Sequence, residues 1–348
     1  MHDVADFRSD KVAQPTREMI EAMARCEWGD GVGDEGPTVR RLEALAAKLT
    51  GKEAAMVCAT GTLANQIAIH THTRPGDAVV IDEAAHIFWT EGGIAPTVSG
   101  VQMHAVPSER GIVSVDAIRR VFARLDMGAR PALVCTENTH NFGGGRVVPL
   151  DLLGDIRAVA SKHGAAVHLD GARIFNASVK SGIPAAKYAA TADSVMFCLS
   201  KGLCAPAGSM LCGTREFIAR ARRFRERIGS FIKQPAPLAA AGIVALTTMI
   251  DRLHEDHANA ARLGRGLKGV TQARRLISVE PVETNMVFVR LLAADGDGAV
   301  SALDRKGVRT YHLGGGRLRF AVHRDVDAED VDRTVEVIGA FLRRKGRA

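Results

Sequence analysis

Short apolar runs alternate with amphipathic stretches through residue 213, and most runs end in a small polar cluster. Such runs fall within 53–59 and at Ala78–Asp82, Ala132–Thr136, Gly164–Val167 and Ser194–Leu199. Their length and β-branched content predict buried strands. Helix patterns lie between them. Thr16 is placed to cap a helix with Met19, Ile20 and Met23 on one face, and Thr38 to open another with Leu42, Leu45, Ala46 and Leu49. An Arg-rich helical stretch and a long apolar helix, Leu238–Met249, close this part. Strands interleaved with helices predict an α/β fold. Near residue 253 the character shifts. A polar helix Glu255–Lys268, strands Thr284–Arg290 and Leu318–Val322 and a final helix predict a small α+β domain. The expected partition is 1–252, an N-terminal segment with a large α/β domain, and 253–348, the small C-terminal domain. No internal repeat or low-complexity linker interrupts it.

At 348 residues the chain is long enough for both domains. It contains no apolar run of about 18 residues, and its first residues, MHDVADFRSD, are too polar for a secretory signal. The expectation is a cytoplasmic protein without a membrane partner. Six cysteines, Cys26, Cys58, Cys135, Cys198, Cys204 and Cys212, lie scattered without CxxC spacing. They read as buried free thiols, not a disulfide frame or a metal site. The net charge of +7 raises the question of nucleic acid. Much of the excess sits in Arg220–Lys233 and the 343–347 tail, without the interleaved aromatics of a stacking platform. A solvated helix face is the simpler account, and no nucleic-acid partner is expected.

The chemistry concentrates in two stretches. In TADSVMFCLSKGLCAPAGSMLCG, residues 191–213, Lys201 follows an apolar run and stands between Ser200 and Gly202. Partial burial there would favour the neutral, nucleophilic amine; a surface lysine at a strand end is the competing account. About 30 residues upstream, His168-Leu169-Asp170-Gly171-Ala172-Arg173 places Asp170 at a strand's carboxyl end, where open α/β sheets bind ligands. A lysine and an acid so placed meet the needs of pyridoxal phosphate (PLP). The lysine holds the cofactor as an imine, and the carboxylate keeps the pyridine nitrogen protonated so that the ring accepts electrons. Thr60-Gly61-Thr62 joins a strand to a helix start, a cradle for a phosphate. The Gly-rich loop at 29–38 lacks the fingerprints of other phosphate loops.

These residues resemble the threonine aldolase family, PLP enzymes of fold type I related to the β-eliminating lyases. HLDGARIFNA and SVMFCLSKGLCAPAGS carry the resemblance, which runs from FRSD, around Arg8, to RFAVHRDV, ending at Val326. It implies a large, mostly parallel mixed sheet with a small C-terminal domain. It implies a lyase that cleaves a β-hydroxy-α-amino acid to glycine and an aldehyde. The catalytic set would be Lys201, His86 and Asp170, with His86 stacking on the cofactor ring and Glu91 near it. Gly61, Thr62, Arg173 and Lys233 would join in holding the cofactor, and Ser9, Arg173 and Arg319 the substrate carboxylate. Asn138 and His140 are plausible cleft walls or turn braces. Three departures stand out: Gly33 where the family has a tyrosine, Met127 where a histidine approaches the substrate hydroxyl, and Lys233 where an arginine reaches the phosphate of a neighbouring subunit. Because methionine cannot shuttle a proton, β-elimination, transaldol transfer or racemisation on the same scaffold remain alternatives, and a non-catalytic binding protein is the reading from outside enzymology. Ser9 as a capping residue, Glu91 in a salt bridge, Arg173 in an ion pair and Arg319 facing outward are the structural alternatives. The resemblance also implies a homo-oligomer, dimer or tetramer.

Overall fold

A computed structural model describes residues 4–30, 35–125, 128–270, 276–292 and 295–345. Gly33 and Met127 lie outside them. The chain divides into two compact units, Pro15–Ile250 and Met1–Gln14 with Asp251–Ala348.

The first unit is built on a seven-stranded sheet of β1 Ala54–Cys58, β2 Ala78–Asp82, β3 Gln102–Val106, β4 Pro131–Glu137, β5 Ala166–Asp170, β6 Ser194–Cys198 and β7 Ser209–Gly213, in the order β1-β7-β6-β5-β4-β2-β3. β3, β2, β4, β5 and β6 run parallel, and β7 is antiparallel to both neighbours. Strands covered on both faces need continuous apolar sequence, and β2, β6 and β7 are buried at every position. The apolar pattern therefore found β2 and β6, but it carried no sign of direction, and neither β7 nor the partly exposed β3 was recognised as a strand.

Helices α1 Arg17–Ala24, α2 Pro37–Thr50, α3 Gly61–His72, α4 Arg215–Arg227 and α5 Ala236–Thr248 pack within this unit. Thr16 caps α1 as expected, its side chain accepting from the Met19 N–H at 3.1 Å. Ile20, expected beside Met19, is exposed instead. Thr38 does not open α2. Gly36, at φ +95°, is the N-cap, Pro37 takes the first turn, and Thr38 bonds the backbone of Glu27. The Arg-rich α4 is not simply a solvated face. Arg222 pairs with Glu35 and Glu43 at 2.8 and 2.5 Å, while buried Arg225 bonds Glu35 and the Val57 carbonyl at 2.7 and 2.8 Å. Two of the six arginines on this helix are thus neutralised inside the fold.

In the second unit, strands β8 Ile277–Val279, β9 Met286–Leu291, β10 Tyr311–His312 and β11 Arg317–Ala321 form an antiparallel sheet in the order β8-β9-β11-β10. Helices α6 Leu253–Gly269 and α7 Ala328–Lys345 belong to the same unit. The N-terminal segment, expected with the large domain, groups here. Phe7 is fully buried among Leu263, Val287, Val322 and Val331 and meets Phe320 edge-on at 5.7 Å, while Ala5–Asp6 pairs in parallel with Val308–Arg309. A buried aromatic and a strand pairing bind those few residues more firmly than chain proximity does.

All six cysteines are free, and five are buried. Burial pushes the Cys58 and Cys212 thiols up to about 12 and Cys135 upward as well, which makes them inert packing residues. Among the described residues, no single helix is long and apolar enough to cross a membrane.

Candidate active site

The parallel strands end on one edge of the large sheet, and the predicted residues of this unit follow those ends. Asp170 is the last residue of β5, next to β6. Lys201 lies in the loop that folds β6 back into β7 and is half-buried. That loop is tightly closed. The Leu199 N–H donates to the Gly208 carbonyl at 3.0 Å, Ala205 to Leu199 at 3.0 Å, and Cys204, at φ +62°, to the Lys201 carbonyl at 2.8 Å. The lysine backbone is thereby fixed while its side chain keeps its reach. Among the described residues, its Nζ has no hydrogen-bond partner.

Asp170 is 2% exposed. One carboxylate oxygen accepts from the Ala172 N–H at 3.0 Å and the other from the Asn65 side-chain amide at 2.9 Å. The same Asn65 nitrogen donates to Glu91 Oε1 at 2.9 Å, and Gln66 donates to Glu91 Oε2 at 2.7 Å. Glu91 Oε1 also meets His86 Nδ1 at 3.1 Å. Because a carboxylate only accepts, Nδ1 carries the proton of this contact, and Nε2 is the ring nitrogen that Glu91 leaves unengaged. The His86 N–H is anchored on Glu137 at 2.8 Å, and Glu137 also accepts from the Asn141 N–H at 2.7 Å.

Ligand atoms of His86, Glu91 and Asp170 lie within 4.8 Å of one another, close enough to share a metal ion. The donors argue otherwise. An amide nitrogen gives its protons to both carboxylates, and a cation there would face those protons.

At the end of β1, Thr60 caps α3 through the Leu63 N–H at 3.1 Å, leaving the Gly61 and Thr62 N–H groups at the helix start. A Cβ on Gly61 would come within 2.8 Å of Cys198 Sγ and 2.9 Å of Met196 Cε. Ser209 Oγ, 3.7 Å from the same point, is buried and, among the described residues, has no hydrogen-bond partner. The bare glycine is needed for packing against β6, while the helix-start N–H groups and a hydroxyl without a partner among the described residues fit an anion such as a phosphate. With Lys201 for the aldehyde and Asp170 for a ring nitrogen, the residues present fit PLP. We expect Gly61→Ala to destabilise the protein by about 1–3 kcal/mol through overpacking and to weaken PLP retention. Thermal melts and a PLP titration measure both, and wild-type values would contradict the cradle.

Arg173 is buried and sits just before the helix Ile174–Ser181. Lys233 is exposed, its Nζ 5.0 Å from the centroid of the Phe231 ring. In the other unit, Ser9 caps a short turn, accepting from the Lys11 N–H at 3.3 Å. Arg319 donates to the Arg8 carbonyl at 2.9 Å and lies over the Tyr311 ring at 5.5 Å. That unit therefore brings Arg319 and Ser9 to one place. Asn138 is a brace, exchanging hydrogen bonds of 3.2 and 3.1 Å with the Val148 backbone. His140 lies 2.9 Å from Asp82 and 3.9 Å from Glu137. Burial alone would push its pKa down, but the two carboxylates outweigh that and hold it above the usual histidine value.

Sequence reasoning missed Asn65, Gln66 and Ser194, and it quoted His168 only as part of a motif. Two adjacent amides inside the otherwise apolar LANQIAI were the available signal: buried amides need partners.

A family model described as beta-eliminating lyase matches residues 6–294. Low-specificity L-threonine aldolase 1 of Arabidopsis thaliana is 36% identical over 341 residues, covering 95% of this chain and 94% of that one. The low specificity L-threonine aldolase of Escherichia coli (strain K12) is 37% identical over 345 residues, covering 97% and 99%. Among solved structures, the threonine aldolase of Leishmania major matches with a TM-score of 0.82 over 97% of this chain and 99% of that one, at 22% identity. A serine palmitoyltransferase of Sphingomonas wittichii matches at 0.78 over 99% and 87%, at 19% identity. At these lower identities the likeness concerns the fold alone.

Proposed function

From a chain that belongs to the beta-eliminating lyase family and ends its strands in these side chains, we infer a PLP-dependent lyase. It cleaves the Cα–Cβ bond of a β-hydroxy-α-amino acid of the threonine type, releasing glycine and an aldehyde. The observation that carries the reading is the adjacency of two strand ends, Asp170 closing β5 and the Lys201 loop following β6, with His86 tied to the same cluster through Glu91 and Asn65.

When bound, PLP supplies an electron sink for the carbanion that bond cleavage leaves. Lys201 Nζ would be the amine that holds the cofactor aldehyde, and when not so engaged it could move a proton. Asp170 would face the ring nitrogen and favour a proton there. The Gly61 and Thr62 N–H groups take the phosphate, aided by the α3 dipole. His86 Nε2, the ring nitrogen not engaged by Glu91, is assigned to accept the β-hydroxyl proton, a role commonly contributing about 10²–10⁴-fold. Arg173 offers a planar fork for the substrate carboxylate. Lys233 is assigned to a cofactor phosphate in a second subunit of a homo-oligomer.

Incubation with a panel of β-hydroxy amino acids tests the reading. Glycine and aldehyde in equal amounts are expected. A keto acid with ammonia would replace it with β-elimination, and no turnover by a PLP-loaded protein would replace it with a binding role.

A further inference from the structure

Two buried carboxylates with oxygens within 4.8 Å of each other, on Glu91 and Asp170, repel unless something stands between them. The group between them is one amide nitrogen. Asn65 Nδ2 spends one proton on each, at 2.9 Å in both cases. This works only while the amide faces one way. Turned over, its oxygen would confront both acids.

A chain of neutral donors holds it. Asn65 Oδ1 lies 3.1 Å from His168 Nε2, so that nitrogen must carry a proton. His168 Nδ1 then accepts from the Ser194 hydroxyl at 2.9 Å, and Ser194 Oγ accepts from His72 Nε2 at 2.8 Å. Burial holds the His168 pKa down at about 4 and that of His72 at about 3. Both rings are therefore neutral at pH 7, and neither neutralises Asp170. The geometry follows from regular structure. Asn65 and His72 lie two turns apart on one face of α3. His168 and Asp170 alternate onto one face of β5, and Ser194 opposes His168 in register on β6. His72 is held from behind by stacking on Phe217 at 4.5 Å.

We propose that Asn65 is a positioning residue that lets Asp170 and Glu91 stay ionised side by side, and that His168, Ser194 and His72 fix its amide in the one useful orientation. Asp170 then keeps full charge for the cofactor ring nitrogen, and Glu91 keeps His86 in its Nδ1–H tautomer. The inference rests on the PLP reading above, and its test separates the two.

The experiment compares wild type with Asn65→Leu and Ser194→Ala by three measurements. These are the PLP dissociation constant of the apoprotein, the pH at which the visible band of the PLP-loaded protein titrates, and the melting temperature of the apoprotein. Asn65→Leu is expected to weaken PLP binding about 10-fold, the scale of a lost hydrogen bond to a charged group. Its visible band should titrate at higher pH, because a ring nitrogen less firmly protonated repels the protonated lysine nitrogen less. Ser194→Ala, the smaller and more distant change, should move both in the same direction by about 3-fold or less, and it serves alone if Asn65→Leu does not fold. Melting temperatures that fall while the dissociation constant and band titration stay at wild-type values would overturn the proposal, leaving a merely structural chain. Absence of any visible band in wild type with PLP would overturn the cofactor reading itself, and this proposal with it.

Discussion

Replacing Lys201 with alanine is expected to leave a protein that takes up PLP without the visible band of a lysine-bound cofactor, with turnover lowered by at least about 10³-fold, since covalent catalysis is removed at its nucleophile. The case rests on position. Lys201 lies beyond the carboxyl end of β6, in a loop closed by three backbone hydrogen bonds. Lys52 is a half-buried lysine of this unit whose pKa burial pushes down, but it precedes β1 and donates to the Ala192 carbonyl at 2.5 Å, ahead of β6. It therefore sits at the opposite edge of the sheet and cannot substitute. Reduction with borohydride followed by peptide mass mapping checks the assignment. A labelled peptide from the alanine variant, or a label on a lysine other than 201 in wild type, would refute it.

Asp170→Asn is the second large effect. The substitution preserves shape and an oxygen to accept from Asn65 but removes the charge. A preorganised charge aimed at the reacting group contributes about 10²–10³-fold when it is taken away, and kcat should fall on that scale while KM changes little. The melting temperature of the apoprotein should fall modestly as well, because the Ala172 and Asn65 donors bind different oxygens and an amide offers only one acceptor, so one of them loses its partner. Steady-state kinetics at saturating PLP measure this. A variant with wild-type kcat would remove Asp170 from the mechanism and leave it a structural acid.

Much of the candidate site could be proposed before any coordinates. Gly61, His86, Asp170 and Lys201 each follow an apolar run, and in an α/β chain such positions collect on one sheet edge. The apolar runs marked where the strands would be because strands buried on both faces leave few other choices of residue. Domain membership was less legible. Phe7 belongs to the unit of residues 251–348 through a packing partner, Phe320, that lies far along the chain. The Arg222 and Arg225 pairs with Glu35 and Glu43 were hidden in the same way: a charged helix looks solvated until its distant partners are placed.

The amino-acid order by itself determined the local chemistry on offer: where a lysine and an acid close apolar runs, where a helix opens after a capping threonine, and which runs must be buried. These depend on side-chain type and short-range spacing, and both are written directly in the chain. Tertiary structure alone decided the antiparallel turn of β7 and the junction of Asn65 with Glu91, His168 and Asp170. An amide in mid-helix satisfies its hydrogen bonds across sequence separations of 26, 103 and 105 residues, and only the packing of α3 against β5 and β6 sets which partners those are.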